Sequence, residues 1–573
     1  MSELPAYRGK VLATFFGDAA FPVAWASEDE KRQMWWYDDL HCPNPISPLW
    51  FDVGGWWHTC DYLFRRFGFP LAVDWKAKNV NGYVYSAVVP AEPEYAAQIG
   101  PYFGAVLPVY AANFLDWWRN ELRPEIEANF RTLDAYDADA ATMPELLIHL
   151  ENALDIQERH WRIHWILNLA QFQASLDLQA AVKEAVGEVD GELLGKILVS
   201  DDDRNWDSIR VLWEMTNRVR SDPDLRDAFA GETASQIMRR LPAAGPSGER
   251  FLQELDAYGR EYGNRSLYAH EYVYALWREN PAPIVETIKS YLETDYDYPS
   301  ALEKVRQTRD QALAELRRRV PVTADPSGAR NGKAKLERAL ELALKMTPLT
   351  PDHHFYIDQG TYARLRLVFL ALGRKLAQAG RLDDPEDVFY LTYHEIRVLS
   401  TNPAALDGRA TAAERRAARE RAFQVRPREW VGTVTEWDLY TEPYKSLWGY
   451  PEKFLRGQES PTDGAPSAQI QGLAASAGAA EGVARVVASP AEFDQVRPGE
   501  VLVCKMTSPA WIVVFTKIRA LVTDAGGALS HPAVVSREFG IPAVVGTMLA
   551  TSRIKTGDRV RVNGSNGTVE ILA

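Results

Sequence analysis

The chain has 573 residues, 46% of them hydrophobic, and a formal net charge of −14 at pH 7. This length and composition predict a globular protein of several domains, and the acidic excess argues against nucleic acid as a partner. No apolar run approaches the ~18 residues of a membrane span, and the first residues lack the apolar core of a signal peptide. We therefore expect a soluble, cytoplasmic protein.

Metal and disulfide signals are weak. Cys42, Cys60 and Cys504 are too few and too scattered for a disulfide framework or a four-thiolate zinc site. His160 and His164 lie four apart on one predicted helical face, a spacing that can hold a metal. Since the sequence offers no third ligand, we predict no metal site.

Residues 1–100 are rich in tryptophan. The run 81–89 (NGYVYSAVV) predicts a strand after a turn, so this part is mixed α/β. Polar residues here stand in aromatic surroundings, which fits either an ordinary aromatic core or a substrate pocket. We predict that the pocket residues are Trp36, Asp38, His41, Trp57 and His58.

The pattern then changes twice. From 101 to 455, apolar residues recur every three or four positions, which predicts a large helical region. Breaker and small polar residues between 456 and 475 predict a linker. From 476 to 573, short β-branched runs separated by turns predict a small β-rich domain with one or two helices.

The stretch that carries chemistry lies in this last domain. A predicted strand (521–523) leads into Gly526 and Gly527, and then into a short helix with His531 in its first turn and Gly540 as its stop. A helix N-terminus presents unpaired N–H groups to an anion. A neutral imidazole can attack phosphorus and later leave again, so His531 is a candidate phosphoryl carrier.

The string GGALSHPAVVSREFGIPAVVG (526–546) resembles the swivelling phosphohistidine domain of the phosphoenolpyruvate-utilising enzymes. The resemblance implies that His531 is phosphorylated and that the linker acts as a hinge. It also implies phosphate-supporting roles for Gly526, Gly527, Ser530 and Arg537. Pro532 stands where the family usually has alanine, a residue that an early helix position accepts.

The middle of the chain resembles the acceptor-binding region of rifampin phosphotransferases and phenylphosphate synthases, at 81–85, 262–266 and 382–392. The expected fold is therefore a multidomain α+β protein, in which a large, mostly α-helical acceptor-binding domain precedes a small β/α swivelling domain. Asn264 replaces a histidine that these relatives often have.

Domain order favours one architecture. The 42 residues after His531 leave no room for a C-terminal barrel, and we see no nucleotide-domain pattern before the helical region. The chain resembles the second subunit of phenylphosphate or 4-methylphenylphosphate (cresol) synthase. That resemblance implies a separate ATP-binding subunit as partner, with ATP and Mg²⁺ bound there and no cofactor held tightly by this chain.

Transfer to a phenol, whose hydroxyl has a pKa near 10, needs a base or a stabilising cation. We predict His353 and His354 as catalytic base and orienter, although the pair also fits a packed helix entry, and Arg265 as a substrate or phosphoryl clamp. The predicted activity is ATP-dependent phosphorylation of a small phenol. The alternatives are phosphorylation of a larger, antibiotic-like alcohol, or a non-catalytic regulatory protein that kept the swivel domain.

Overall fold

The structure is a computed structural model. It describes residues 10–39, 41–187, 191–231, 233–320, 326–435, 469–487, 490–507, 511–515, 517–526, 531–547 and 549–572. The chain forms two compact units. Unit 1 takes in the described residues of 1–174, 269–273 and 356–464, and unit 2 takes in those of 175–268, 274–355 and 465–573.

Unit 1 contains a five-stranded antiparallel sheet of order β1-β5-β2-β4-β3. Its strands are β1 (Val11–Phe15), β2 (Met34–Tyr37), β3 (Ala72–Val80), β4 (Tyr83–Pro90) and β5 (Trp430–Thr435). Asn81 and Gly82 connect β3 to β4 with φ values of 53° and 92°, as a tight hairpin turn requires. The predicted strand at 81–89 is thus confirmed, with its first two residues forming the turn.

Both faces of strand β2 are covered, because all four of its residues are buried. Trp35 and Tyr37 on one face join a buried cluster with Tyr83 and Tyr85 of β4. Trp36 points to the other face, where its ring centroid lies 5.7 Å from that of Trp75. This alternation follows the two-residue period of a strand.

Helices make up most of the rest of unit 1. They are α1 (Glu28–Lys31), α2 (Cys60–Phe67), α3 (Pro93–Trp117), α4 (Arg123–Asp134), the first part of α5 (Met143–Val186), α15 (Tyr362–Gln378), α16 (Tyr393–Thr401) and α17 (Gly408–Ala422). Wider π-helical turns occur at Trp50–Gly54, Trp118–Leu122 and His354–Thr361, and 3₁₀ turns at Trp56–His58 and Pro385–Tyr390. π turns are often found at functional sites.

The helices of unit 2 pack around an aliphatic core that includes Leu178, Leu316 and Leu336. After the end of α5 they are α6 (Gly191–Ile197), α7 (Arg204–Ser221), α8 (Pro223–Phe229), α9 (Ala234–Arg240), α10 (Gly245–Tyr262), α11 (Ala282–Glu293), α12 (Tyr298–Arg319), α13 (Pro326–Met346) and α14 (Leu349–His353), with a 3₁₀ turn at Leu241–Ala244. Asp203 caps α7 by accepting hydrogen bonds from the backbone of residues 205 and 206.

The C-terminal part of unit 2 is a mixed eight-stranded sheet of order β6-β13-β12-β8-β9-β10-β11-β7. Strands β8 to β11 run parallel, and the remaining pairs are antiparallel. The strands are β6 (Gln469–Gln471), β7 (Leu473–Ser476), β8 (Ala479–Val487), β9 (Val501–Cys504), β10 (Ala520–Thr523), β11 (Ala543–Val545), β12 (Arg559–Asn563) and β13 (Thr568–Leu572). Short helices are a 3₁₀ turn (Pro490–Gln495), α18 (Ile512–Phe515), α19 (His531–Glu538) and α20 (Ala550–Arg553).

A mostly helical chain with a small C-terminal β/α domain confirms the coarse fold prediction. Two boundaries need correction. Residues 469–475, assigned to the linker, form β6 and most of β7, and the rest of the predicted linker (456–468) lies outside the described residues. The run 430–435, assigned to the helical region, is strand β5, which lies between β1 and β2 in the first sheet. Within the described residues, no helix has the length and apolar character needed to cross a membrane.

Candidate functional site

The predicted strand–loop–helix around His531 is present in unit 2. Strand β10 ends at Thr523, and Gly526 follows with φ 124°. Residues 527–530, including the predicted phosphate-supporting Gly527 and Ser530, lie outside the described residues, and so does the side chain of His531. His531 begins α19, and Gly540 beyond its end has φ 62°. His531 therefore occupies the helix N-terminus, where backbone N–H groups favour an anion.

Asp524 anchors the start of this loop. Its carboxylate accepts hydrogen bonds from the backbone N–H of Thr551 (3.0 Å) and from the hydroxyl of the same residue. Burial raises the pKa of Asp524, and these hydrogen bonds offset only part of that rise. Arg537 lies in the last turn of α19 and donates to the carbonyl of Ala475 (3.2 Å). That position is at the opposite end of the helix from His531.

A carboxylate–histidine pair lies in unit 1. His41 Nδ1 is 2.8 Å from Asp38 Oδ1, so Nδ1–H donates and Nε2 keeps its lone pair. Asp38 also accepts from the backbone N–H of His41 (3.2 Å) and from the hydroxyl of Ser86 (3.3 Å). The Asp38 side chain is 2% exposed and that of His41 is 34% exposed. The histidine is thus accessible while its carboxylate partner is not.

The two residues shift each other's pKa. Burial opposes the charged imidazolium of His41, but the Asp38 carboxylate outweighs it through charge and hydrogen bonding, so the pKa of His41 lies above its usual value. Burial likewise opposes ionisation of Asp38. The charge and hydrogen bonds of His41 outweigh this effect, so the pKa of Asp38 is lowered. His41 is consequently a stronger base than a free histidine.

Aromatic rings surround this pair. The ring of His41 lies 4.6 Å from that of Trp56 and 5.7 Å from that of His270. His270 is also within about 6 Å of four further rings, those of Trp50, Trp56, Trp161 and Tyr362. The indole N–H groups of Trp50 and Trp56 are buried without a hydrogen-bond acceptor among the described residues. Buried donors usually have partners, so these two need an explanation. The aromatic cluster is the name that we give to Asp38 together with the rings of His41, Trp50, Trp56, Trp161, His270 and Tyr362.

Close packing around two glycines builds one wall of the cluster. A Cβ at Gly54 would lie 2.6 Å from the Trp50 ring, and one at Gly55 would lie 2.1 Å from the Trp57 ring. Only glycine permits these approaches. The hydroxyl of Tyr362 donates to the carbonyl of Gly54, which joins α15 to the same wall.

The segment 269–273 supplies His270 and is firmly held. Glu271 accepts hydrogen bonds from both the backbone N–H and the hydroxyl of Ser47, each at 2.6 Å. The hydroxyl of Tyr272 donates to Gln157 (3.1 Å), whose amide donates to the carbonyl of Val53 (2.5 Å). These bonds fix the position of His270 relative to the Trp50–Gly54 turn.

A second carboxylate–histidine pair lies on α5 and the neighbouring π turn. His164 Nδ1 is 3.5 Å from Asp358 Oδ1, and both residues are buried. His160 takes different partners, with Nδ1 2.8 Å from the Thr361 hydroxyl and Nε2 3.2 Å from the Asn129 amide. The two histidines four apart on this helix therefore do not share a ligand position.

Five predicted pocket residues were named from the sequence. Asp38, His41 and Trp57 lie in or against the aromatic cluster, since the Trp57 ring is 5.1 Å from that of Trp56. His58 is exposed beyond Trp57. Trp36 contacts Trp75 instead. Sequence reasoning did not name Trp50 as a pocket residue, although it lies in the tryptophan-rich part. It also missed His270 and Tyr362, which come from distant segments that no local pattern brings together.

The predicted catalytic pair lies at the end of α14. His353 is 4% exposed and its Nδ1 lies 2.9 Å from the carbonyl of Leu349, one turn earlier. The rings of His353 and His354 are 4.1 Å apart, and His354 is half-buried. Their roles as base and orienter stay predictions.

Arg265 lies in unit 2, within the segment that follows α10. Its side chain is 1% exposed, and Nη2 donates to Asn205 (3.2 Å) and Ser208 (3.1 Å). Burial lowers the pKa of this guanidinium.

Comparison with known protein families identifies two regions. Residues 496–567 match the family described as "PEP-utilising enzyme, mobile domain", and residues 152–349 match the "Rifampicin phosphotransferase fourth domain". The first match includes His531 and the whole of α19, and the second includes Arg265.

Similar proteins agree with these matches. The "Uncharacterized phosphotransferase YvkC" of Bacillus subtilis is 27% identical over 96% of this chain and 63% of its own length. The rifampicin phosphotransferase of Streptomyces sviceus is 30% identical over 63% of this chain and 39% of its own length. The "Probable phosphoenolpyruvate synthase" of Staphylothermus marinus is 52% identical over 18% of this chain and 12% of its own length.

Residues 496–567, with His531 at the start of their helix, thus match the mobile domain of the phosphoenolpyruvate-utilising enzymes. The chain is also similar to the rifampicin phosphotransferases, and the two matches confirm the predicted resemblance. The chain spans less than two thirds of the length of each of these curated relatives. The closer resemblance to phenylphosphate synthases stays a prediction.

Proposed function

We propose that this chain transfers a phosphoryl group from His531 to the hydroxyl of a small phenol bound at the aromatic cluster. The observation that carries the proposal is the accessible His41 beside the buried Asp38, set among tryptophan rings. Flat apolar rings favour a flat apolar ligand, and the histidine supplies the base that a phenol needs.

The transfer step follows from these groups. His41 Nε2 takes the phenolic proton, and the Asp38 carboxylate stabilises the imidazolium that forms, as in other carboxylate–histidine pairs. The phenolate oxygen then attacks the phosphorus of phosphorylated His531. A new P–O bond forms and the P–N bond breaks. The departing ring nitrogen of His531 takes up one proton, which balances the proton that His41 accepted and later releases, and His531 returns to its neutral state.

The unsatisfied indole donors give the phenolate a place to bind. The N–H groups of Trp50 and Trp56 are buried, and a ligand oxygen that accepted from them would remove the cost of leaving them unpaired. Such donors stabilise an oxyanion most where water is excluded. This supports a ligand with both a ring and an oxygen.

The donor is proposed to be ATP with Mg²⁺, bound by a separate ATP-binding subunit as the sequence resemblance implies. A dikinase-type relay of this kind releases the γ phosphoryl as inorganic phosphate and passes the β phosphoryl to His531, leaving AMP. A nucleotide domain on a longer form of the same polypeptide would serve equally.

One experiment tests the proposal at both ends. The chain, its ATP-binding partner and Mg-ATP labelled at either the β or the γ phosphorus are incubated with phenol or cresol. The label is expected on His531 and then on an aryl phosphate from β-labelled ATP alone. Label arriving from the γ position, or phosphorylation of a His531→Asn variant, would overturn the relay.

A larger alcohol is the second candidate acceptor, favoured by the match of residues 152–349 to rifampicin phosphotransferases. The same assay with rifampicin in place of phenol separates the two. Turnover of rifampicin without turnover of any phenol would reject the phenol and keep the relay. If the chain is instead a regulatory protein without catalytic activity, neither acceptor will be phosphorylated.

A further inference from the structure

A buried guanidinium in unit 2 has fewer hydrogen-bond partners than donors. Arg265 uses Nη2 for Asn205 and Ser208, but its Nε and Nη1 atoms are buried and have no hydrogen-bond partner among the described residues. The ionisable groups that act on its charge are three tyrosines and another arginine, Arg204, rather than acids. A buried cation with neither an acidic partner nor a full set of acceptors is costly.

Further donors surround the same guanidinium. Tyr258 is 2% exposed, and its hydroxyl is buried beside Ser208 without a hydrogen bond of ordinary geometry among the described residues. Arg204, the residue after the cap of α7, adds positive charge nearby. The interior at this point therefore offers unpaired donors beside a positive charge, and among the described residues no acidic side chain pairs with Arg265.

The backbone holds Arg265 in place. Its carbonyl accepts from the N–H of Trp277 (2.8 Å), and the carbonyl of Gly263 accepts from the N–H of Arg278 (3.0 Å). The Trp277 ring centroid lies 5.7 Å from the guanidinium carbon. A Cβ at Gly263 would lie 2.4 Å from the Gly259 carbonyl oxygen, so the chain turns tightly before Arg265. The unused nitrogens are thus pre-positioned rather than mobile.

We propose that Arg265, with Tyr258, forms an oxyanion site that binds a phosphate group, either inorganic phosphate or the phosphate of a monoester. Nη2 is taken by Asn205 and Ser208, so the guanidinium offers an oxyanion single charge-assisted hydrogen bonds from Nε–H or Nη1–H rather than a parallel pair, and the hydroxyl of Tyr258 offers a further donor. A buried water can satisfy a donor but leaves the positive charge uncompensated. The site does not depend on the phenol proposed as acceptor.

The test measures binding to the full chain without any nucleotide or partner, by calorimetric titration in phosphate-free buffer. The probes are inorganic phosphate, phenyl phosphate and benzoate. The wild type is expected to bind both phosphates. Phenyl phosphate binding more tightly than inorganic phosphate would indicate a monoester, and equal binding would indicate the free ion. Benzoate binding alone, without either phosphate, would overturn the assignment to phosphate.

The variants are Arg265→Met, which keeps a long apolar side chain, and Tyr258→Phe, which removes one hydroxyl. We expect at least a tenfold loss of phosphate affinity in the first and a smaller loss in the second. Arg218→Met is the matched control, because that arginine lies on α7 and pairs with Glu254 at the surface. It should bind as the wild type does.

Equal affinity in the wild type and in Arg265→Met would overturn the proposal, as would a wild type that binds no phosphate at millimolar concentration. Circular dichroism confirms that each variant is folded. If Arg265→Met does not fold, Arg265→Lys takes its place, because a lysine keeps the charge but lacks the planar guanidinium that holds the Nε–H and Nη1–H donors in fixed positions. Undiminished binding in both Arg265→Lys and Tyr258→Phe would then count against the site.

Discussion

The Nδ1 atom of His41 lies 2.8 Å from the Oδ1 atom of Asp38, and the histidine is partly exposed while the aspartate is not. This arrangement fixes the tautomer, because Nδ1 must carry the proton that Asp38 accepts. The other ring nitrogen, Nε2, is left to accept a proton from a ligand. The pair therefore has the form of a positioned general base.

Removing the base should slow transfer but spare phosphorylation of His531. We expect His41→Gln to lower the rate of aryl phosphate formation by roughly 10²- to 10⁴-fold, the usual contribution of general acid–base catalysis. The measurement is single-turnover transfer from the phosphorylated chain. His58→Gln is the matched control, since His58 is exposed beyond Trp57. Equal loss in both variants would remove His41 from this role.

The rate of transfer should depend on pH through His41. A base must be neutral to accept a proton, and Asp38 raises the pKa of His41 above its ordinary 6.5. The rate should therefore rise with pH through a midpoint above 6.5. In Asp38→Asn the midpoint should move to lower pH, since the charge that raises it is gone. An unmoved midpoint would show that another group titrates.

The same pair should contribute to stability over a defined pH window. The raised pKa of His41 stabilises the fold below pH 6.5, and this is lost as pH rises through the folded-state pKa. The lowered pKa of Asp38 stabilises the fold above pH 3.8, and this is lost as pH falls through its folded-state value. Urea unfolding of the wild type and Asp38→Asn should therefore differ most between pH 3.8 and 6.5. A difference that is constant with pH would contradict this.

The aromatic cluster should report its ligand directly. Phenol binding is expected to quench tryptophan fluorescence, and Trp56→Phe should weaken binding by about tenfold, since it loses both ring area and a buried N–H donor. Trp206→Phe is the control, because that buried indole lies in unit 2 and already donates to the Ser200 carbonyl. Quenching that survives in Trp56→Phe at unchanged affinity would place the phenol elsewhere.

Some elements of the structure could be predicted from the sequence and others could not. The strand, glycine and helix order around His531 was predictable, because it depends on residues 521–540 alone. The hairpin at Asn81 and Gly82 was predictable for the same reason. The predicted end of the linker, residue 475, was too late. Residues 469–475 are mostly small or polar, but they form β6 and most of β7, which pair with β13 and β11.

The candidate site shows the same limit. Asp38 and His41 are three residues apart, so their pairing was within reach of sequence reasoning. His270 and Tyr362 join them from segments more than 200 residues away, held by bonds such as that between Glu271 and Ser47. No local period encodes such a contact.

The last prediction separates the two proposed bases. His353 is buried with Nδ1 beside the Leu349 carbonyl, and His354 is half-buried next to it. If His353 and His354 were the base and orienter, His354→Gln and His353→Gln would still accept a phosphoryl group on His531 but fail to transfer it. We expect instead that both variants transfer at near the wild-type rate while His41→Gln does not, because His41 combines partial exposure with a buried carboxylate partner. The phosphorylated chains are prepared with the partner and ATP, freed of nucleotide, and mixed with phenol. Acid-labile phosphate on the protein and aryl phosphate in solution are then counted over time. Loss of transfer in His354→Gln with full transfer in His41→Gln would assign the base to the π-helical turn instead.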